Sequence, residues 1–229
     1  MLLVGVDWPI QNMTLFPSLS TTSLLVNESA CSDQTAACPL PIPALWDSST
    51  HENFFWMNSD TWEASTWDAS VSEPLRLQGE GEYIHQTFRM YTDKKQTVQS
   101  VYDQAAAVSN DFTINYPGGA KYTLNTGFYS LYGGSEYQNY TATNGSQLSW
   151  SRQLPSVYND SITSSISYGL HIGSASNRIP GSLLLGGYDR ARCLTEPVVS
   201  NTSTFQLQDV GLKVESGASQ FTNLSLIHI

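Results

Sequence analysis

The chain has 229 residues, 40% of them apolar, enough to bury a sizeable core as one domain or one and a part. Only 13% of residues are charged, and 20 acidic against 10 basic side chains leave a formal net charge of -10. That balance excludes the basic patches that displace counterions from nucleic acid, and the basic amphipathic face that anionic membranes attract. It suits a protein that works in acid.

Met1-Leu2-Leu3-Val4-Gly5-Val6 is apolar but gives way at once to Asp7 and Trp8. A signal peptide needs a basic start and a longer apolar stretch. The segment reads instead as the tail of a strand entering a hairpin, with the start truncated or mis-set. Gln11 to Val26 (QNMTLFPSLSTTSLLV) follows, and then CSDQTAAC from Cys31 to Cys38. These two cysteines are close enough for one small loop disulfide in an oxidising compartment, or they are reduced and buried. Cys193 is left over from that pairing.

Trp46, Trp56, Trp62 and Trp67 fall among acids and small polar residues, and DTWEAS and TWDAS form a short local duplication. Aromatic faces suit sugar rings, so a carbohydrate-stacking platform, and with it a cell-wall ligand, is one reading. Packing within a β-lobe is the other. Thr97 to Ser109 (TVQSVYDQAAAVS) carries the best helical pattern and predicts a short helix or an irregular crossing. Strands are expected over Asp111 to Tyr116, Ser164 to Ile172, Gly181 to Leu185 and Thr204 to Val214, all rich in β-branched or aromatic residues. Pro117-Gly118-Gly119 predicts a turn into Lys121 to Leu124. The chain thus reads as mainly β. No run of 18 apolar residues occurs, so no transmembrane helix is expected.

Asn-x-Ser/Thr occurs at Asn12, Asn27, Asn139, Asn144, Asn159, Asn201 and Asn223. With this Ser/Thr content and 13 Asn, chance supplies about three such sequons. The excess points to the secretory pathway, where sequons are read. An extracellular or cell-surface glycoprotein is expected.

Chemistry-bearing constellations are scarce. No Gly-x-Ser-x-Gly elbow is present, and His51, His85, His171 and His228 show no metal-ligand spacing. The cysteines form no Cys-x-x-Cys pair. Gly118-Gly119, Gly133-Gly134 and Gly186-Gly187 precede no Lys-Ser/Thr, so they read as turns and not phosphate loops. No metal and no cofactor is expected.

Two segments carry a resemblance. Pro9-Ile10-Gln11 and Leu24-Leu25-Val26 resemble the lead-in and exit of the first active-site loop of pepsin-like aspartic proteases. Gly181-Ser182-Leu183-Leu184-Leu185-Gly186-Gly187-Tyr188-Asp189 resembles the strand and turn that close the first lobe there, in a form similar to a secreted fungal branch. Between them, Gly127-Phe128-Tyr129-Ser130-Leu131 resembles the family's Gly-x-apolar-Gly-Leu turn. The resemblance covers about residues 5 to 38 and 125 to 215. It implies a pepsin-like β-barrel lobe over 1–193, with 194–229 as an interlobe linker and the first strand of a second lobe. It also implies a short helix within Ser146 to Leu154, a peptide or protein ligand held in a cleft, and no cofactor.

The frame implies the position of the catalytic Asp as well, and there the chemistry fails. Counting back from Val26 places Ser18 at that position, with Leu19 and Ser20 where Thr/Ser and Gly belong. Aspartic proteolysis needs two carboxylates sharing one proton, and a following Gly permits the tight loop that brings them together. No Asp in this sequence is followed by Thr/Ser-Gly. Tyr83, after Gly79-Glu80-Gly81-Glu82, falls where the family's flap tyrosine would sit, although the usual Tyr-Gly-Asp/Thr-Gly pattern is missing. The expectation is therefore a family member without competent catalysis. A secreted pseudoenzyme and a carbohydrate-binding β protein are the alternatives. The unpaired edge expected at Thr204 to Val214 would make the chain alone sticky or poorly folded.

Overall fold

The computed structural model describes residues 2–6, 10–31, 45–47, 56–63, 72–73, 75–91, 97–141, 145, 147–174, 177–193 and 196. The predicted strand Thr204 to Val214, the positions Cys38, Trp67, Asn144, Asn201 and Asn223, and the residues after 196 lie outside that description. Two compact units are distinguished, Met1–Asp189 and Arg190–Ile229. In the second, a 3-10 turn at Arg190–Arg192 is followed by an ion pair between Arg190 and Glu196 at 2.6 Å.

The first unit is mainly β. Its strands are β1 (Leu2–Val6), β2 (Gln11–Ser18), β3 (Ser23–Asn27), β4 (Leu45–Trp46), β5 (Trp56–Glu63), β6 (Leu77–Gln78), β7 (Glu80–Tyr91), β8 (Thr97–Ser109), β9 (Thr113–Asn115), β10 (Lys121–Thr123), β11 (Phe128–Ser130), β12 (Tyr137–Thr141), β13 (Gln147–Ser151), β14 (Tyr168–His171) and β15 (Ser182–Leu185). A short helix, α1, spans Gln153–Asn159. The largest sheet has ten strands in the order β12-β13-β8-β3-β11-β2-β1-β7-β5, with β4 paired to β3. A further pairing of β7 with β8 joins the two ends of the β8-β3-β11-β2-β1-β7 path into a closed ring.

The alternation of side chains in that ring explains why two cores form. Strand side chains point to opposite faces in turn, and β3 (SLLVN) is buried at every position, so both of its faces are covered. Leu25 joins Val4, Val6, Met13, Leu15, Ile84, Phe88, Ala106 and Val108 in one cluster. Its neighbours Leu24 and Val26 join Tyr83, Ala105, Ala107, Phe112 and Trp150 in another. Each fully buried Leu or Val of this strand contributes about 1.5–3 kcal/mol of transfer free energy.

Thr97 to Ser109 is not a helix; it is the long strand β8. Its alanines have high helix propensity, but tertiary context overrides that preference. Ala106 and Ala107 lie between Ser23 and Leu24 on one side and Ile84 and Tyr83 on the other. Their side chains point to opposite faces, Ala106 into the first core and Ala107 into the second. The helix expected within Ser146 to Leu154 also moves: that stretch forms β13, and α1 begins only at Gln153.

The turn at Pro117-Gly118-Gly119 is present. Gly118 and Gly119 take φ of 100° and 88°, values that favour glycine, and Tyr116 N donates to Ala120 O at 2.9 Å. β14 and β15 form an antiparallel hairpin whose Tyr168, Leu183 and Leu185 pack against the first core. Gly186, at φ 80°, follows β15, and its N–H donates to Ser167 O at 2.7 Å.

Candidate functional site

The turn from β2 to β3, Leu19 to Thr22, follows Ser18, the position at which the resemblance leads one to expect a catalytic Asp. Its walls are set by β11, which enters between the two strands. β11 runs parallel to β2, with Phe128 opposite Phe16 and Ser130 opposite Ser18, and its Phe128 also pairs with Leu24 of β3. Gly127 makes the insertion possible. A Cβ there would lie 2.0 Å from the Leu24 carbonyl oxygen.

Ser18 is half-buried, and its Oγ accepts the N–H of Ser20 at 3.0 Å, closing a local turn of the kind serine hydroxyls favour. Its carbonyl accepts Leu131 N at 2.8 Å. Leu19 stands at the tip, 60% exposed. Ser20 is fully buried, and its Oγ donates to Thr22 O at 3.0 Å.

Behind the turn lies a buried network of hydroxyl and amide groups. Ser130 Oγ donates to Ser20 O at 2.6 Å. Ser130 N donates to Ser23 Oγ at 2.9 Å, and that hydroxyl donates onward to Gln153 Oε1 at 2.8 Å. Thr22 Oγ1 donates to Gln138 Oε1 at 2.7 Å. Four elements thus hold one turn: β3, β11, β12 and α1. Buried hydrogen bonds that converge in this way hold the turn to its neighbours. Arg152 borders it; the guanidinium stacks 4.7 Å over the Tyr132 ring and donates to Ser135 O at 2.7 Å. Loss of solvent pushes its pKa below the ordinary arginine value, against an opposing contribution from Tyr132.

The network contains no carboxylate and no imidazole. A serine hydroxyl needs an adjacent base to act as a nucleophile, and the residues bonded to Ser18, Ser20, Ser23 and Ser130 are amides, carbonyls and hydroxyls. Among the described residues, no group of three or more His, Cys, Asp or Glu is placed to hold a metal. What the arrangement does is hold backbone in place.

Tyr83, expected at a flap, sits within β7 at 7% exposure, its ring 5.3 Å from that of Trp150 in the second core. Its ring packs in that core. Trp46 is fully buried in the first core and has no face to offer a sugar. Of the sequons, Asn12, Asn139 and Asn159 are exposed. Asn27 is only 8% exposed, and its Oδ1 accepts Ser29 N at 3.1 Å. Cys193 is exposed.

Sequence reasoning missed Ser23, Ser130, Gln138 and Gln153. A signal was available for some of them: Ser20-Thr21-Thr22-Ser23 is a polar run leading into the fully buried β3, and buried polar groups require partners. Comparison with protein-family models finds no match, and a search of curated proteins finds none either.

Proposed function

We propose that this chain is a pepsin-like lobe that has lost aspartic catalysis and serves, outside the cell or at its surface, as a glycoprotein binding extended peptide. The observation that supports this reading best is the placement of β11 between β2 and β3, beside the turn that begins at Ser18. The resemblance relates these same three segments to one another, and none of the sequence patterns required them to meet. Ser18 supplies a neutral hydroxyl where catalysis would need a carboxylate, and losing one member of such a unit costs on the order of thousands-fold in rate. Leu19, exposed at the tip, is the apolar contact such a turn would offer a peptide.

The test is acid proteolysis followed by binding. The chain, made through a secretory host, is incubated with denatured haemoglobin from strongly acid to neutral pH, with and without pepstatin. No cleavage is expected; pepstatin-sensitive cleavage would sink the loss of catalysis. Binding of the denatured chain is then followed by fluorescence, and Leu19→Glu is expected to weaken it. Equal binding by the variant would remove the turn from the proposal.

A further inference from the structure

Two residues that each carry a buried nitrogen donor line one small nook beside the network just described. Its walls are formed by Thr21, Thr22 and Ser130 from the site and by Trp150, Ser151, Arg152 and Gln153 at the junction of β13 with α1, and its volume is about 10 Å³. Gln153 is 4% exposed. Its Oε1 is committed to Ser23, which fixes the amide, while its Nε2 is buried without a partner among the described residues. Arg152 Nε is a second buried donor in the same condition, because the guanidinium bonds to Ser135 and Tyr137 are all made through Nη1.

A buried donor with nothing to accept it costs about 1–3 kcal/mol. Two of them bordering one nook make an oversight of folding a poor explanation. The nook has room for one water and no more, since about 10–15 Å³ is the least that holds one. An acceptor of that size with two lone pairs answers both donors. A water also carries two protons of its own, and two hydroxyl-bearing residues, Thr21 and Ser151, are among those that line the nook.

We infer that the nook between the β2–β3 turn and the start of α1 is a binding site for a single ordered water, held by Gln153 Nε2 and Arg152 Nε. The water completes the polar network and couples the turn to α1. This inference stands on the cavity and its donors, independently of any peptide ligand.

The experiment is solution NMR of the full chain, reading laboratory-frame and rotating-frame cross-relaxation between water and the backbone amides of Thr22, Ser151 and Gln153, together with a high-resolution crystal structure. Expected are cross-peaks of the sign that marks a long-lived bound water, and one density peak within hydrogen-bond distance of Gln153 Nε2. Gln153→Met, which keeps length and removes both polar atoms, is expected to lose those cross-peaks. No density in the wild-type nook, or cross-peaks unchanged in the Met variant, would overturn the assignment. Should the variant fail to fold, the wild-type measurement alone decides.

Discussion

At the scale of single residues, Gly127 is the most constrained position of the site. Adding a methyl group would bring carbon to 2.0 Å from the Leu24 carbonyl oxygen and 3.1 Å from Leu15 Cδ2. The first of these is backbone within a fully buried strand and has no room to retreat. Gly127→Ala is expected to destabilise the chain by about 3 kcal/mol, the upper part of the range for forced overpacking, as read from urea unfolding. An unchanged midpoint would show that β3 yields. Sequons divide at the same scale. Asn139 and Asn159 are exposed, whereas the Asn27 side chain is enclosed and hydrogen-bonded. Glycopeptide mass spectrometry of secreted material is expected to find glycan at Asn139 and Asn159 and none at Asn27.

At the scale of elements, β3 and β8 show what the amino-acid pattern reveals and what it hides. Leu24-Leu25-Val26 is a short apolar run, and its burial on both faces is legible as such. The strand and turn around Pro117-Gly118-Gly119 are legible too, because a left-handed backbone leaves a glycine signature. The state of β8 is not legible. Three consecutive alanines favour helix locally, and only pairing with β3 and β7, drawn from other parts of the chain, makes the segment a strand. The candidate site was half visible. Ser18 to Ser20 could be located by counting, but Ser130, Gln138 and Gln153 reach the turn through long-range pairing that no local spacing encodes. Tyr83 is set by long-range pairing as well: the register puts it opposite Ala107 of β8. Its contact with Trp150 joins β7 to β13 through the second core. Trp150→Ala is expected to cost about 3–5 kcal/mol. A double-mutant cycle with Tyr83→Leu is expected to return a coupling of about 0.5–1.5 kcal/mol, the ordinary range for an aromatic pair. Strictly additive losses would mean that the rings touch without interacting.

At the scale of the whole molecule, the excess of acidic over basic residues gives stability a slope with pH. One contribution has an identified cause. Glu28 is held above the usual glutamate pKa, first by loss of solvent, then by the charge of Asp47 and a hydrogen bond to it. The folded chain therefore binds this proton more tightly than the unfolded chain does. The contribution is neutral below the ordinary glutamate range, and stability falls as pH climbs from that range through the raised value. Glu28→Gln removes the fall. Thermal unfolding is expected to show the variant matching wild type in strong acid and exceeding it near neutrality. A variant less stable at neutral pH would reverse the sign and sink the assignment. Asp47 is itself fixed by a two-way bridge, in which Gln11 Nε2 donates to its carbonyl at 3.0 Å and its N–H donates to Gln11 Oε1 at 2.9 Å. The carboxyl pair thus reports on the joint between β2 and β4.

The insertion of β11 also sets an order of events as the protein is synthesised. β2 and β3 adjoin one another in sequence, yet in the sheet they are neighbours only through a strand made much later. Ser130 bonds to Ser23 and Ser20 across separations of 107 and 110 residues. A chain emerging from the ribosome therefore exposes both walls of the gap, Leu24 and Leu15 included, long before the segment that fills it exists. Contacts of such separation pay their loop-closure entropy before they return any stabilisation, so they slow folding and prolong exposure to aggregation. The turn at Ser18 is translated well before Ser130, and only with Ser130 in place can it take its final form.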